Sequence, residues 1–471
     1  MTDDTYDVIV IGAGSTGENV ADYAVRNGLS AVVIEKELVG GECSYWACMP
    51  SKALLRPTEV LAAVERVPAA AAAVEGDVDV ERVLKLRDSF ASDWDDQDQV
   101  QWLEDNGIDL IRGEGHLSGE REVTVEEEDG TTRVLTANRA VVIATGSVAV
   151  HPPIEGLADA DPWDNRDATT AKDVPERLLV LGGGVVGVEM AQAWKRLGSS
   201  EVTIVEMQDR LLPTLEPFVG DELGDALEDD GIRVLTGAEL IRVEREAPDG
   251  PVTGICDDGS EITADELLVA VGRRAVSDSL GLETVGLEPG GAIEVDDHLR
   301  VKGVDGGWLY AAGDVNGRSP LTHMGKYQAR LIGDHLADPD TDPAWADHTA
   351  MPAVVFTDPQ VASVGLTEAE ARDRYDDIAT VSHDVGAVAG GALMGKGFGG
   401  TAQLVIDTDR RIIVGATFVG PGIGELLHAA TIAIVSEVTI DRLWHAVPAY
   451  PTVSEVWLRL LESWRSRERG E

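Results

Sequence analysis

The stretch that decides the fold is YDVIVIGAGSTGENVADYAVRNGLSAVVIE, residues 6–35. It contains an apolar run, a Gly-x-Gly-x-x-Gly motif, a helix-favouring stretch and a second apolar run that ends in a carboxylate. This order is typical of a dinucleotide-binding unit, in which the glycines let the backbone approach a diphosphate and the acid accepts from ribose hydroxyls. The residues predicted to bind a nucleotide are Gly12, Gly14, Gly17 and Glu35. The alternative interpretation is a tight strand-to-helix turn without a ligand.

The same pattern recurs at residues 178–206, LLVLGGGVVGVEMAQAWKRLGSSEVTIVE. Two such units are far more specific than one, and they predict two nucleotide cofactors, or one cofactor and one nucleotide substrate. The predicted binding residues of the second unit are Gly182, Gly184, Gly187 and Glu206. A carboxylate at the last position hydrogen-bonds ribose hydroxyls and repels a 2′-phosphate, which favours NADH over NADPH.

Between the two units lies GGECSYWACMPSK, residues 40–52, which holds two of the three cysteines of the chain. If Cys43 and Cys48 lie on one helix, their side chains return to roughly the same side and can meet with modest distortion. The N-terminus of that helix would favour a thiolate. We therefore hypothesise a redox-active disulfide. The alternatives are two small buried side chains or half of a metal site, but Cys256 is remote and no histidine flanks the pair, so no metal site is predicted.

Together with these motifs, the rest of the sequence predicts an α/β protein. It would have two Rossmann-like dinucleotide-binding domains, followed by a separate α+β domain. Helices are predicted over about 57–73 and 80–106, and a hairpin over 121–135 that turns at Asp129-Gly130. From about residue 351 the sequence alternates between strand-like runs and helices.

The charge is strongly unbalanced, with 85 acidic against 38 basic residues and a formal net charge of −47. Such a surface disfavours nucleic acid and anionic membranes as partners. It suggests a halophilic source, because high salt screens the self-repulsion of the surface. No apolar stretch is long enough to span a bilayer and no secretory signal is visible, so a cytoplasmic location is expected.

Taken together, the motifs resemble those of the pyridine nucleotide–disulfide oxidoreductases, such as dihydrolipoyl dehydrogenase, glutathione reductase and mercuric reductase. The matching pieces are 12–17, 43–52, 144–146, 182–189, 272–274, 313–314 and 356–359, in the order of the family. The resemblance implies FAD in the first unit, a pyridine nucleotide in the second and a homodimer formed through the C-terminal domain. The expected domains are 1–147 (FAD, first part), 148–272 (NAD(P)), 273–345 (FAD and central, second part) and 346–471 (dimerisation).

The resemblance also implies individual roles. Cys48 would lie against the flavin and Cys43 would exchange with a small-molecule disulfide. Lys52 and Glu189 match a charged pair beside the flavin ring, where a positive charge favours the reduced flavin. Further residues expected to bind cofactor are Lys52, Gly115, Thr145, Gly146, Asp314 and Gly272. NADH would reduce the flavin, and the flavin would reduce the disulfide.

One position departs from the family. In the C-terminal segment that supplies the family's histidine base, this chain has Tyr450, whereas Glu455 is present. Phenols, with a reference pKa of about 10, accept protons poorly at neutral pH, whereas imidazole at about 6.5 is suited to that task. His445 is a nearby alternative, although a surface or structural role is expected for it. A tyrosine also stands here in soluble pyridine nucleotide transhydrogenases, which lack the second cysteine.

Three functions therefore remain open. The first is an FAD-dependent NAD(P)H:disulfide oxidoreductase acting on a low-molecular-weight thiol disulfide or a lipoyl-type one. The second is electron transfer from the flavin to a quinone, oxygen or another nicotinamide, without need of the disulfide. The third is a non-enzymatic subunit of a larger complex, and no lipoyl domain or binding linker supports it.

Overall fold

The computed structural model describes residues 4–127, 129–247 and 250–470. The chain divides into two compact units, each built from three separate segments. The first unit comprises residues up to 50, 86–150 and 273–348. The second comprises residues 51–85, 151–272 and those from 349 onward. The four domain segments expected from the sequence stay a prediction.

The first unit is built on a six-stranded sheet. Its strands are Thr5–Ile11, Ala31–Glu35, Asp109–Gly119, Glu122–Glu127, Thr132–Ile143 and Leu309–Ala311. The strand Thr5–Ile11 pairs in parallel with both Ala31–Glu35 and the end of Thr132–Ile143. Both faces of such a central strand are covered, which explains its unbroken apolar run. The predicted hairpin is confirmed, since Glu122–Glu127 pairs antiparallel with the start of Thr132–Ile143. A two-stranded ribbon joins Ser147–Ala149 to Arg273–Ala275.

The second unit contains three sheets. A parallel sheet has the order Glu266–Val269, Arg177–Leu181, Glu201–Glu206 and Arg233–Thr236. A three-stranded antiparallel sheet comprises Leu240–Arg245, Val252–Cys256 and Glu261–Ala264. The C-terminal antiparallel sheet has the order Pro352–Val355, Gln360–Gly365, Ile412–Gly420, Thr401–Asp407 and Ile378–Asp384. This is the α/β fold class that the sequence predicts, including the α+β texture of the C-terminal region.

Helices flank these sheets. The α-helices are Gly17–Arg26, Gly41–Tyr45, Cys48–Glu65, Pro68–Ala71, Val80–Phe90, Gln97–Asp105, Asn165–Thr170, Val185–Leu197, Pro217–Asp229, Thr322–Ala337, Ala346–Thr349, Glu368–Arg374, Ala389–Leu393, Leu427–Val435, Ile440–Leu443 and Glu455–Arg469. Short 3₁₀ helices are Ser92–Trp94, Ala158–Ala160, Leu282–Val285, Gly313–Asn316, Val385–Ala387 and Ile423–Leu426. No helix among the described residues is long and apolar enough to cross a membrane.

The helix predicted over 57–73 is wrong in its bounds. The observed helix Cys48–Glu65 contains Pro57 in its interior, although proline removes a backbone hydrogen bond there. The Thr58 hydroxyl donates to Leu55 O at 2.9 Å, and both Leu54 and Leu55 are buried in a hydrophobic core. Burial of this apolar face outweighs the local cost of the proline.

The helix predicted over 80–106 is also wrong, because it is two helices separated by a left-handed turn. Ser92, Asp93 and Trp94 have φ values of 49°, 50° and 57°, a region that costs a non-glycine residue roughly 1–3 kcal/mol. The turn brings the Trp94 indole N–H to Tyr45 O at 3.2 Å. Arg87, which is fully buried, lies 5.6 Å from the centre of the same indole. Tertiary contacts therefore hold a turn that the local sequence does not predict.

Candidate active site

The cysteine segment starts against the first glycine turn. The Gly40 N–H donates to Ala13 O at 2.8 Å, and the Cα of Gly41 lies close to Gly14. Cys43 is in the five-residue helix Gly41–Tyr45, which we call the cysteine helix. The contact places this helix at the edge of the sheet where the first nucleotide motif turns.

The expectation that one helix carries both cysteines is wrong. Cys48 is the first residue of the next helix, Cys48–Glu65. Trp46 interrupts the two helices, with φ −135° and ψ −4°. Its N–H and that of Ala47 both donate to Glu42 O, at 2.9 and 2.7 Å. The shared carbonyl closes the cysteine helix and lets the chain turn before the second helix begins.

The turn nevertheless brings the two sulfurs together. Cys43 and Cys48 are both thiols, and their side chains hydrogen-bond each other. The Thr322 hydroxyl lies 3.3 Å from Cys48 Sγ and also hydrogen-bonds Cys43. Thr322 is the first residue of the helix Thr322–Ala337. No sequence pattern indicates a role for Thr322, because its contact with Cys48 joins residues 274 positions apart.

The prediction of a lowered pKa for the thiol is wrong for Cys43. The hydrogen bond with Cys48 raises the pKa of Cys43 above its ordinary value, and burial raises it further. Thr322 and the charge of Lys326 act in the opposite direction but are weaker. A helix of five residues has a small dipole, so it does not compensate for a neighbouring thiol. The dithiol form therefore needs a proton acceptor before Cys43 can attack.

The first and third glycines of both motifs are required sterically. Gly12 and Gly182 have φ values of 97° and 110°, and a Cβ on either would lie 2.6 or 2.5 Å from a carbonyl oxygen of the adjoining strand end. A Cβ on Gly17 or Gly187 would lie 1.9 Å from the carbonyl oxygen of the first glycine of its own motif. Helix and strand can pack this closely only without a side chain.

The middle glycine of each motif faces open space instead. A Cβ on Gly184 would meet no atom within 4 Å, and one on Gly14 would meet only Gly41 Cα at 3.9 Å. The helices that follow, Gly17–Arg26 and Val185–Leu197, direct their N-termini towards these turns. A bare backbone beside a helix N-terminus is suited to a diphosphate. Both turns therefore fit the phosphates of a dinucleotide.

The two predicted ribose acids occupy equivalent places. Glu35 Oε2 accepts from the Ala13 N–H, and Glu206 Oε2 accepts from the Gly183 N–H, each at 2.7 Å. The second oxygen of each carboxylate also accepts a backbone N–H, two residues further along the chain. Burial raises the pKa of Glu35, and these backbone bonds oppose the shift. A carboxylate has about four lone-pair sites, so each acid can still accept from a ribose.

Other predicted cofactor residues of the first unit cluster near the end of the sheet. The Ser147 hydroxyl donates to Asp314 Oδ2 at 2.6 Å. The Thr145 hydroxyl donates to Val276 O at 2.6 Å, so it shapes the loop rather than pointing freely outward. Gly146 has a φ of 71°, and a Cβ added to it would have no atom within 4 Å.

The two remaining predicted glycines differ from each other. Gly115 lies inside the strand Asp109–Gly119, where a Cβ would lie 3.0 Å from the side chain of Ile34. It is therefore a packing position of the sheet. Gly272, in the second unit, has a φ of 133°, and a Cβ added to it would have no atom within 4 Å.

In the second unit, the predicted charged pair is formed. Lys52 Nζ lies 2.7 Å from Glu189 Oε2, with the lysine side chain 32% exposed and the glutamate 4% exposed. Glu189 is on the helix Val185–Leu197, two residues after Gly187. Its other oxygen, Oε1, accepts from the Phe356 N–H at 2.9 Å. Phe356 belongs to a motif that the sequence singled out without assigning it a role.

Tyr450 and Glu455 lie in the same unit but in different surroundings. Tyr450 is 77% exposed, and His445 is exposed as well. Glu455 begins the helix Glu455–Arg469 and is buried. Its Oε2 accepts from the Gly390 N–H at 3.2 Å.

Among the residues that the structure describes, no group of three or more metal-ligating side chains is arranged around a common point.

One titratable group was missed. Glu18, in the first turn of the helix Gly17–Arg26, has its pKa raised to about 7 by burial. The charge of Lys326 opposes the shift, and that of Asp22 adds to it. Lys326 follows Thr322 by one helical turn and also influences Cys43. In the sequence, Glu18 is simply part of the helix-favouring stretch that follows the first glycine motif.

Glu18→Gln is expected to stabilise the protein at pH 8 but not at pH 4.5. The folded-state pKa of about 7 lies above the unfolded value of 4.5, so stability falls as pH rises between the two, and ionised Glu18 costs about 3 kcal/mol above pH 7. The amide has no charge to bury and avoids this cost. Urea unfolding midpoints of both proteins at the two pH values measure the effect. The exposed Glu81→Gln is the matched control, and an equal gain for Glu18→Gln at both pH values would contradict the burial argument.

Comparisons with known proteins agree with this geometry. The family model described as pyridine nucleotide-disulphide oxidoreductase matches residues 6–329. The model of the dimerisation domain of the same family matches residues 351–460.

Similar proteins cover nearly the whole chain. Dihydrolipoyl dehydrogenase of Haloferax volcanii is 33% identical over 470 residues, which is 97% of this chain and 96% of that protein. Mercuric reductase of Staphylococcus aureus is 29% identical over 463 residues, 96% of this chain and 81% of that protein. The Cu(II) complex of the HOCl-induced flavoprotein disulfide reductase RclA from Escherichia coli has the same fold, with a TM-score of 0.84, 24% identity, and coverage of 98% and 99%. The chain therefore belongs to the pyridine nucleotide-disulphide oxidoreductases, a family of flavoprotein enzymes.

Proposed function

We propose that the protein is an FAD-dependent NADH:disulfide oxidoreductase that reduces a small disulfide through Cys43 and Cys48. The observation that carries this proposal is the mutual contact of the two thiols with Thr322, next to the first glycine turn. Two buried structural cysteines fit less well, because Cys43 and Cys48 are only partly buried. Among the described residues, no group of three or more metal-ligating side chains includes them.

The FAD would be held by residues of the first unit. Its diphosphate would lie over Gly14, its ribose would bond Glu35, and Asp314 would meet a hydroxyl of the chain that links the ribose to the ring. A flavin bound there would supply the chemistry of accepting a hydride from the nicotinamide and passing an electron pair to a disulfide. As the family resemblance implies, Lys52, held by Glu189, would supply a positive charge that favours the reduced flavin.

The two thiols then carry the electrons to the substrate. The Cys43 thiolate attacks one sulfur of the substrate disulfide, forms a mixed disulfide and releases the first substrate thiolate. The Cys48 thiolate attacks the Cys43 sulfur, releases the second substrate thiolate and leaves the Cys43–Cys48 disulfide. Thr322 and the charge of Lys326 partly offset the raised pKa of Cys43 and so would assist the first step.

Two arrangements favour NADH over NADPH. The Glu206 carboxylate is fixed at the second glycine turn by the Gly183 and Gln208 N–H groups, where it would repel a 2′-phosphate. Arg210, the cation that could instead attract a 2′-phosphate, donates through Nη2 to Pro213 O at 2.9 Å and pairs with Asp209.

The C-terminal region belongs to the family's dimerisation domain, and we infer a homodimer. The exposed Tyr450 would reach the partner's site, where its phenol would donate a proton to a leaving thiolate. A cytoplasmic location and the absence of nucleic-acid and membrane partners stay predictions from the sequence.

The phenol at this position also favours a second candidate function, electron transfer to a quinone or another nicotinamide. Such acceptors do not require a base to activate Cys43. In this case the cysteines would be dispensable for turnover.

A panel of acceptors separates the two functions. We expect NADH oxidation that depends on an added disulfide, either of a low-molecular-weight thiol or of the lipoyl type, with two thiols released per NADH consumed. Activity with NADPH should be at least tenfold lower in kcat/KM. The assay measures NADH absorbance and titrates the released thiols in parallel. Rapid quinone reduction without thiol release from any disulfide would exclude the first function and support the second.

A further inference from the structure

The Lys52–Glu189 pair has a third member that touches both partners. The Phe356 N–H donates to Glu189 Oε1 at 2.9 Å, while Glu189 Oε2 binds the ammonium. The centre of the Phe356 ring lies 4.9 Å from Lys52 Nζ. A cation over the face of an aromatic ring at this distance is attracted by its quadrupole. One residue therefore fixes the carboxylate with its backbone and faces the ammonium with its side chain.

The lysine needs such a second contact. Its four-carbon stem is flexible and its ammonium is a point charge, so one carboxylate alone leaves the charge free to swing about the ion pair. The ring restricts that motion from another side, and Lys52 also donates to Ser51 Oγ at 3.2 Å. Phe356 remains 38% exposed as a residue, so it does not serve only to fill a core.

Phe356 itself is held by a clamp on the same helix as Glu189. Gln192, three residues further along and 1% exposed, accepts from the Asp358 N–H at 2.7 Å and donates to Asp358 O at 2.9 Å. The Asp358 carboxylate pairs with both Arg66 and Arg196. The helix thus binds the backbone of residues 356 and 358 through two side chains one turn apart.

From this geometry we infer that Phe356, held by the Gln192–Asp358 clamp, is a positioning residue that fixes the Lys52 ammonium for its action on the flavin. The inference rests on the proposed role of Lys52 beside the flavin. The inference gives the 356–359 motif a functional role in addition to its structural one. Phe356 acts through Lys52 and has no chemical step of its own.

The test is a double-mutant cycle on the flavin midpoint potential of the holoenzyme. Phe356→Leu should shift the potential to more negative values and slow flavin reduction by NADH roughly three- to tenfold. Lys52→Met should give a larger shift of the same sign. In the Lys52→Met background, Phe356→Leu should add nothing, because the charge it positions is gone. Additive shifts would overturn the inference.

Two further variants control for structural damage. Phe356→Tyr keeps the ring face and should restore the wild-type potential, whereas Gln192→Met should resemble Phe356→Leu. Thermal unfolding of each variant identifies any that lose the fold. A tyrosine variant as impaired as the leucine one, with its fold intact, would also overturn the inference. Because the potential is read on the flavin, failure to reduce disulfides would refute the proposed function while leaving this result intact.

Discussion

Cys48→Ser is expected to abolish the long-wavelength absorbance that appears when the holoenzyme is reduced anaerobically with NADH, and to lower disulfide turnover by roughly a thousandfold or more. The proposed arrangement places the Cys48 thiolate against the flavin, and such a contact produces a thiolate-to-flavin transition. A serine hydroxyl at this position cannot donate charge in the same way. It also cannot resolve a mixed disulfide on Cys43.

Cys43→Ser is the reciprocal variant. It should lose disulfide turnover to the same extent, because the attacking sulfur is gone, but it should keep the long-wavelength band. Cys256→Ala is the matched control, since Cys256 is buried in the strand Val252–Cys256, within the second unit. Anaerobic titration and steady-state assays on the three variants measure both effects. A band that survives Cys48→Ser but disappears in Cys43→Ser would reverse the assigned roles, and disulfide turnover that survives both would refute the sulfur route.

The second large effect is expected within the second glycine motif, where two glycines only three positions apart should behave differently. Gly187→Ala places a Cβ 1.9 Å from Gly182 O. Relief of this clash requires the helix Val185–Leu197 to move away from the preceding strand, Arg177–Leu181. This movement should lower the free energy of unfolding by about 3 kcal/mol or more. We therefore expect a lower unfolding midpoint and poor recovery of folded protein.

Gly184→Ala should leave the fold unchanged, because its φ of −78° suits alanine and no atom lies within 4 Å of the added methyl. The methyl would occupy the space proposed for the nicotinamide nucleotide's diphosphate, so the Kd for NADH should rise at least tenfold. Flavin content should stay at the wild-type level. Thermal unfolding, flavin absorbance and NADH titration measure the three quantities. Unchanged NADH affinity in a folded Gly184→Ala protein would place the diphosphate elsewhere.

The sequence by itself determined those parts of the molecule that depend on local backbone chemistry. The two nucleotide motifs are recognisable because tight turns and close helix–strand packing exclude side chains at Gly12, Gly17, Gly182 and Gly187. The buried parallel strands are recognisable from their unbroken apolar runs. The family resemblance added the pairing of Lys52 with Glu189, which the structure contains although the two residues are 137 positions apart.

The tertiary structure alone decided what depends on contacts between distant residues. The left-handed turn at Ser92–Trp94 exists because Trp94 bonds Tyr45 and contacts Arg87. Hydrogen bonding to Cys48 and burial, rather than a helix dipole, set the direction of the Cys43 pKa shift. Periodicity and spacing record the conformation and the burial of one segment, but the partner of a buried side chain depends on how separate segments pack. The Thr322 hydroxyl beside the thiols and the Phe356 ring beside the charged pair could therefore be identified only in the folded chain.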